Sequence, residues 1–91
     1  LGVYPIGSLV ELNSGELGIV LPGENSSNLQ PQVMIITDNT KDQCDPSLIS
    51  INKDKRPDSG RPYMIRAIHE DGKHGVYFKD FSELALKYIS T

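Results

Sequence analysis

His69-Glu70-Asp71-Gly72-Lys73-His74 is a stretch of this chain stocked with groups that bind metals or carry protons. Four residues separate the two histidines, and Gly72 lies between them, so the spacing reads as a turn and not as one face of a helix. The His-Glu-x-x-His arrangement of zinc hydrolases is absent, because position 73 is Lys. No cysteine stands nearby to complete a closed zinc site. The residues therefore read as two solvated turn histidines, with no metal ligand assigned. Asp38, Asp42 and Asp45 offer oxygens to a hard cation, but the spacing lacks the glycine and closing glutamate of a calcium loop, so they read as a solvated acidic loop. Cys44, the single cysteine, lies between Asp42 and Asp45, whose charges disfavour a reactive thiolate.

Other constellations are equally quiet. Gly15-Glu16-Leu17-Gly18 precedes an extended run, so no helix N-terminus waits there for a phosphate. No nucleophile elbow or dinucleotide fingerprint occurs. Neither catalytic nor cofactor-binding residues are assigned, and this chain is not expected to be an enzyme on its own. Tyr4, Tyr63 and Tyr77, joined by Phe78, are the candidate aromatic interaction surface, with core packing as the competing use. Asn25-Ser26-Ser27 fits a glycosylation acceptor without any secretory context.

The elements that hold these residues follow from periodicity. Ser8–Asn13 and Glu16–Leu21 alternate with the period of extended strands, and Ser14-Gly15 between them is a hairpin turn signal. Gly7, Gly15 and Gly18 then have shape-making roles: a sharp entrance, a turn, and either a bulge or a close crossing of another backbone. Gln32–Asp38 is apolar on both faces and β-branched, as a central strand would be. Ser47–Ile51 and Tyr63–Ile68 read as further strands, separated by the loop of residues 52–62. Val76-Tyr77-Phe78 is a last short strand or a bend. Phe81, Leu84, Ala85 and Tyr88 recur at helical spacing, with Asp80 and Glu83 as a capping pair.

The expected fold is mainly β, with five to six short strands and one short C-terminal helix. An SH3-like barrel is the preferred form, and a strongly bent, open antiparallel sheet backed by the helix is the alternative. Ninety-one residues make one domain, 1–91, with no run long enough to span a bilayer. Twelve acidic against nine basic residues give a net charge of −3. Lys53, Lys55, Arg56 and Arg61 form the one basic cluster, diluted by Asp54 and Asp58, so nucleic acid is a poor candidate partner. An unpaired cysteine in so small a domain fits a reducing cytoplasm. The chain starts at Leu1 without Met, which suggests a fragment.

Tyr4-Pro5-Ile6-Gly7-Ser8-Leu9-Val10-Glu11-Leu12, followed by Ser14-Gly15-Glu16-Leu17-Gly18-Ile19-Val20, resembles the segment after the catalytic domain of bacterial HD-GYP proteins, metal-dependent phosphodiesterases of cyclic-di-GMP signalling. The likeness continues more weakly through Pro31–Asp38, and then through Ile65–Ile68 and the Gly75–Phe81 tail. The family's His-Asp pair and Gly-Tyr-Pro motif have no counterpart here. The resemblance implies a non-catalytic accessory domain, with residues 1–5 the remnant of a junction. Its partners would be the preceding catalytic domain of the same polypeptide and a second copy of itself, which it would brace, dimerise or regulate. The same ribbon is similar to the KOW-type motif of ribosomal and elongation factors, which implies instead an SH3-like binding module for RNA or protein.

Overall fold

An alternating strand with one wet face buries every second residue, but Leu17–Leu21 buries all five. That strand is β2, and it sits in the middle of a five-stranded sheet of order β4-β3-β2-β1-β5. The others are β1 (Leu9–Leu12), β3 (Gln32–Thr37), β4 (Gln43–Ser50) and β5 (Ile65–His69), and each neighbouring pair is antiparallel. The computed structural model describes residues 4–23 and 30–89. Leu1, Val3 and the Asn25-Ser26-Ser27 triplet lie outside the described residues.

The sheet has an apolar cluster on each face. Leu9, Leu17, Ile19, Leu21, Met34 and Ile36 point to one side, where α1 (Ser82–Ile89) lays Ala85 and Leu84 against them together with Phe81. Val10, Leu12, Val20, Val33 and Ile35 point to the other, where Ile51, Tyr63 and Tyr4 cover them. This double burial corrects the expectation of a barrel. A barrel has one interior, whereas β2 and β3 are apolar on both phases and need two covers. The sheet therefore stays open, with β4 and β5 as its edges. Pro46 is tolerated within β4 because an edge strand has one side free of ladder bonds.

Local chemistry explains the remaining differences. Residues 76–78 add no sixth strand among the described residues: Phe78–Asp80 forms a 3-10 turn that leads directly into α1. Asp80 belongs to that turn, two residues ahead of the first helical residue, which displaces it from the expected capping pair. Tyr88 remains 38% exposed, so the buried helical stripe is narrower than its spacing suggests. Among the described residues, no helix is long and apolar enough to cross a membrane.

Two residues close the sheet's tightest point. The buried Thr37 hydroxyl accepts the Leu17 N–H at 3.0 Å and donates to the Asp38 carbonyl at 2.9 Å, tying the start of β2 to the end of β3. Gly18 lies against β3 so closely that a Cβ there would stand 2.9 Å from the Met34 carbonyl oxygen and closer still to the Val33 side chain. One of these two neighbours is backbone, which cannot swing aside as a side-chain tip can. Gly18→Ala is accordingly expected to lower unfolding free energy by about 1–3 kcal/mol. Urea denaturation checks this, and an unchanged midpoint would show that β2 and β3 are not so close.

Candidate functional site

Glu11 is a carboxylate on the buried phase of a strand. It shares the α1-facing side of β1 with Leu9, and its side chain is only 13% exposed. A charge placed there needs partners, and two elements, β5 and the turn between β3 and β4, supply them. His69 lies across from Leu9 on β5 and brings Nε2 within 2.8 Å of Glu11 Oε1. Lys41, in the turn between β3 and β4, donates from Nζ to Glu11 Oε2 at 3.2 Å and to the Gly15 carbonyl at 2.6 Å. The Arg66 guanidinium also donates to Oε2.

Arg66 reaches this side through a bulge. Glu11 pairs with Ala67 but Leu12 pairs with Ile65, so Arg66 is the extra residue in β5. Regular alternation would have sent it to the opposite face from Ala67. Hydrogen bonds from His69 and Arg66, helped by Lys41, outweigh burial and hold the Glu11 carboxyl at about 2, below its ordinary 4.5. Glu11 is therefore an anion at neutral pH, already engaged, and poorly suited to taking a proton.

His74 completes the group. It lies in a 3-10 turn, Lys73–Gly75, with φ 58° and ψ 21°, and its ring meets His69 edge-on with centroids 5.7 Å apart. One ligand atom from each of Glu11, His69 and His74 falls within 4.8 Å of the others. A cleft of about 300 Å³ opens beside them, lined by His74, Lys41, Thr37, Gln43 and Asp80 among others. Lys41 shares with His74 a left-handed backbone, at φ 74°. Two side chains in this region of φ/ψ space thus line one cleft, a pattern that marks constrained sites. The reading of two solvated turn histidines holds for His74, which is exposed in a turn, and is corrected for His69, which is in a strand, 18% exposed, and bonded to a carboxylate.

The remaining candidates are scattered. Tyr63 is buried at 7% exposure and Tyr4 is half-buried, both on the face away from α1, while Tyr77 is exposed with the Lys79 ammonium over its ring. The three do not make one continuous ledge. Asp38 spends its carboxylate on its own turn, accepting from the Thr40 and Asp42 N–H groups at 2.9 and 3.1 Å. Asp45 lies in β4, not in that loop. Burial first, then Asp38, Glu16 and Asp45, pushes the Cys44 thiol up. Gly7 and Gly15 have φ of 91° and 92° at the sheet's entrance and first turn. A second cleft, about 230 Å³, holds Arg56 beside Glu16, Asp38 and Asp58. Sequence reasoning missed Glu11, Lys41 and Arg66. The available signal was the single charged residue on the apolar phase of Leu9-Val10-Glu11-Leu12.

No protein-family model matches the chain, and no solved structure does. The chain is similar to the cyclic di-GMP phosphodiesterase PA4108 of Pseudomonas aeruginosa, with 49% identity over 35 residues. The match spans 38% of this chain and 8% of that protein, which indicates a relation to a signalling phosphodiesterase over a small part of its length.

The Glu11 cluster predicts an acid response. A carboxyl lowered from 4.5 to about 2 contributes stability that is present above pH 4.5 and lost as pH falls toward 2. Glu11→Gln leaves Lys41 and Arg66 without their anion, so it is expected to cost about 1–3 kcal/mol at pH 7. The variant should also lose stability less steeply than the wild type across that acid window. Denaturant titrations at a series of pH values measure both effects, and parallel curves for the two proteins would contradict them.

Proposed function

We propose that this chain is a non-catalytic accessory domain of an HD-GYP-type cyclic-di-GMP signalling protein, following the catalytic domain and bracing, dimerising or regulating it. The observation that carries the reading is the 49% identity over 35 residues to a cyclic di-GMP phosphodiesterase. It agrees with the likeness of Tyr4–Val20 to the segment beyond the hydrolase domain in that family. The KOW-like alternative loses its architectural support, because the sheet is open and not a barrel.

The surface where the chain enters supports a covalently attached neighbour. Ile6 is 53% exposed and precedes Gly7, whose Cα hydrogen faces the Phe78 ring, with a Cβ there 3.6 Å from Phe78 Cε1. Phe78 is itself exposed, so two large apolar side chains, Ile6 and Phe78, lie at the chain entrance. An apolar group at this position is suited to packing against a domain that ends just before it. Bracing through such a contact requires no chemistry from this chain, in keeping with a site whose carboxylate is fully engaged.

The coding sequence upstream of Leu1 tests the proposal most simply. Codons for a His-Asp phosphodiesterase domain are expected within roughly 200–300 residues, on ordinary domain-size grounds. A reading frame that begins near Leu1 would overturn it. Light scattering on the two-domain protein, with and without residues 1–91, then separates dimerisation from bracing: loss of the dimer on truncation assigns the former.

A further inference from the structure

We infer that Glu11, His69 and His74 form a binding site for a borderline transition-metal ion of the zinc type. Two imidazoles and one carboxylate are the donor set that such ions prefer, with the fourth position left to water. The donors come from separate elements. Glu11 is on β1, His69 at the end of β5, and His74 on the following turn, yet their ligand atoms lie within 4.8 Å of one another. An ion about 2.0–2.2 Å from each donor needs them roughly 3.3 Å apart. The His69–Glu11 pair, at 2.8 Å, must open slightly, and His74 must close in.

His74 is placed to do so. It is exposed, and Gly72, His74 and Gly75 have φ of 94°, 58° and 76°. That run of left-handed residues folds the turn back toward β5, so the His74 ring meets the edge of His69 instead of solvent alone. Of the three donors His74 is the one that lines the adjoining cleft of about 300 Å³. For the ion to take Nε2, the His69 ring must carry its one proton on Nδ1, exchanged through solvent, so that neutral imidazole offers its Nε2 lone pair and Glu11 Oε1 one of its own in place of their mutual hydrogen bond.

Lys41 and Arg66 oppose the ion's charge, but both engage Oε2, and Oε1 is the oxygen that faces His69. Their effect is to lower affinity, which supplies a signature that a chance surface histidine pair would not have. Removing the exposed Arg66 should tighten metal binding, whereas removing any ligand should weaken it. The inference stands on side-chain placement and does not depend on the signalling role.

Calorimetric titration of the 91-residue chain with Zn²⁺, paired with Co²⁺ absorption spectroscopy, is the test. One equivalent is expected to bind, with Co²⁺ giving the intense visible bands of a low-coordinate nitrogen-oxygen site. His74→Ala, which removes an exposed ring, should weaken binding about 10-fold or more, and His69→Gln likewise. Arg66→Gln should strengthen it by about threefold, as expected for loss of one charge several ångströms away in a well-solvated setting. No binding to the folded wild type would overturn the site. So would binding that His74→Ala and His69→Gln leave unchanged, which would place the ion elsewhere.

Discussion

A carboxylate on the core side of a β-strand constrains everything around it. Glu11 occupies a position that, by phase, belongs with Leu9 beneath α1, and a charge there survives only with its hydrogen-bonding capacity filled. Filling it recruits the turn between β3 and β4 through Lys41, the bulge in β5 through Arg66, and the end of β5 through His69. Lys41 also holds the Gly15 carbonyl, so one ammonium fastens the β3–β4 turn to the β1–β2 turn. Elements far apart in sequence are thereby locked by one small polar cluster. Because its carboxylate is already satisfied, the cluster is better suited to holding shape than to moving protons.

The second constraint is that the sheet is apolar on both faces. The helix covers one face, and the segment from Ile51 to Tyr63 covers the other. That second cover is a folded loop: Tyr63 N–H donates to the Asp54 carbonyl at 2.9 Å, and Arg56 N–H to the Arg61 carbonyl at 2.7 Å. With both faces spent on the core, contact with other molecules falls to the sheet's ends and edges. The apolar group at the chain entrance and the polar cleft by His74 are separate places of this kind, one suited to a neighbouring domain and the other to an ion.

Much of the strand pattern was legible because period-two alternation survives in short runs. Leu9–Leu12, Leu17–Leu21 and Gln32–Thr37 all fall within the expected spans, and the terminal helix falls on its expected stretch. The architecture was harder. The glycines at 7, 15 and 18 suggested a sheet bent enough to close, but Gly18 serves close packing of β2 on β3 without closing anything. Gln43–Ser50 looked like a loop leading to a short strand because Asp45-Pro46 interrupts it, though its exposure alternates from Gln43 to Leu48. The site was least legible. Its donors are separated by up to 63 positions, from Glu11 to His74, and only the pairing of β5 with β1 brings them together. Arg66 joins them through a bulge, and a one-residue register shift leaves no mark in local sequence.

The central claim is that Glu11, an anion at neutral pH, is a clasp between three elements. Carbon-13 NMR titration of its side-chain carboxyl in the metal-free chain measures this directly. The account predicts a midpoint near 2, set first by the hydrogen bonds from His69 and Arg66. A midpoint at the ordinary 4.5 would mean that the carboxylate is solvated and unpaired, and the clasp would not exist.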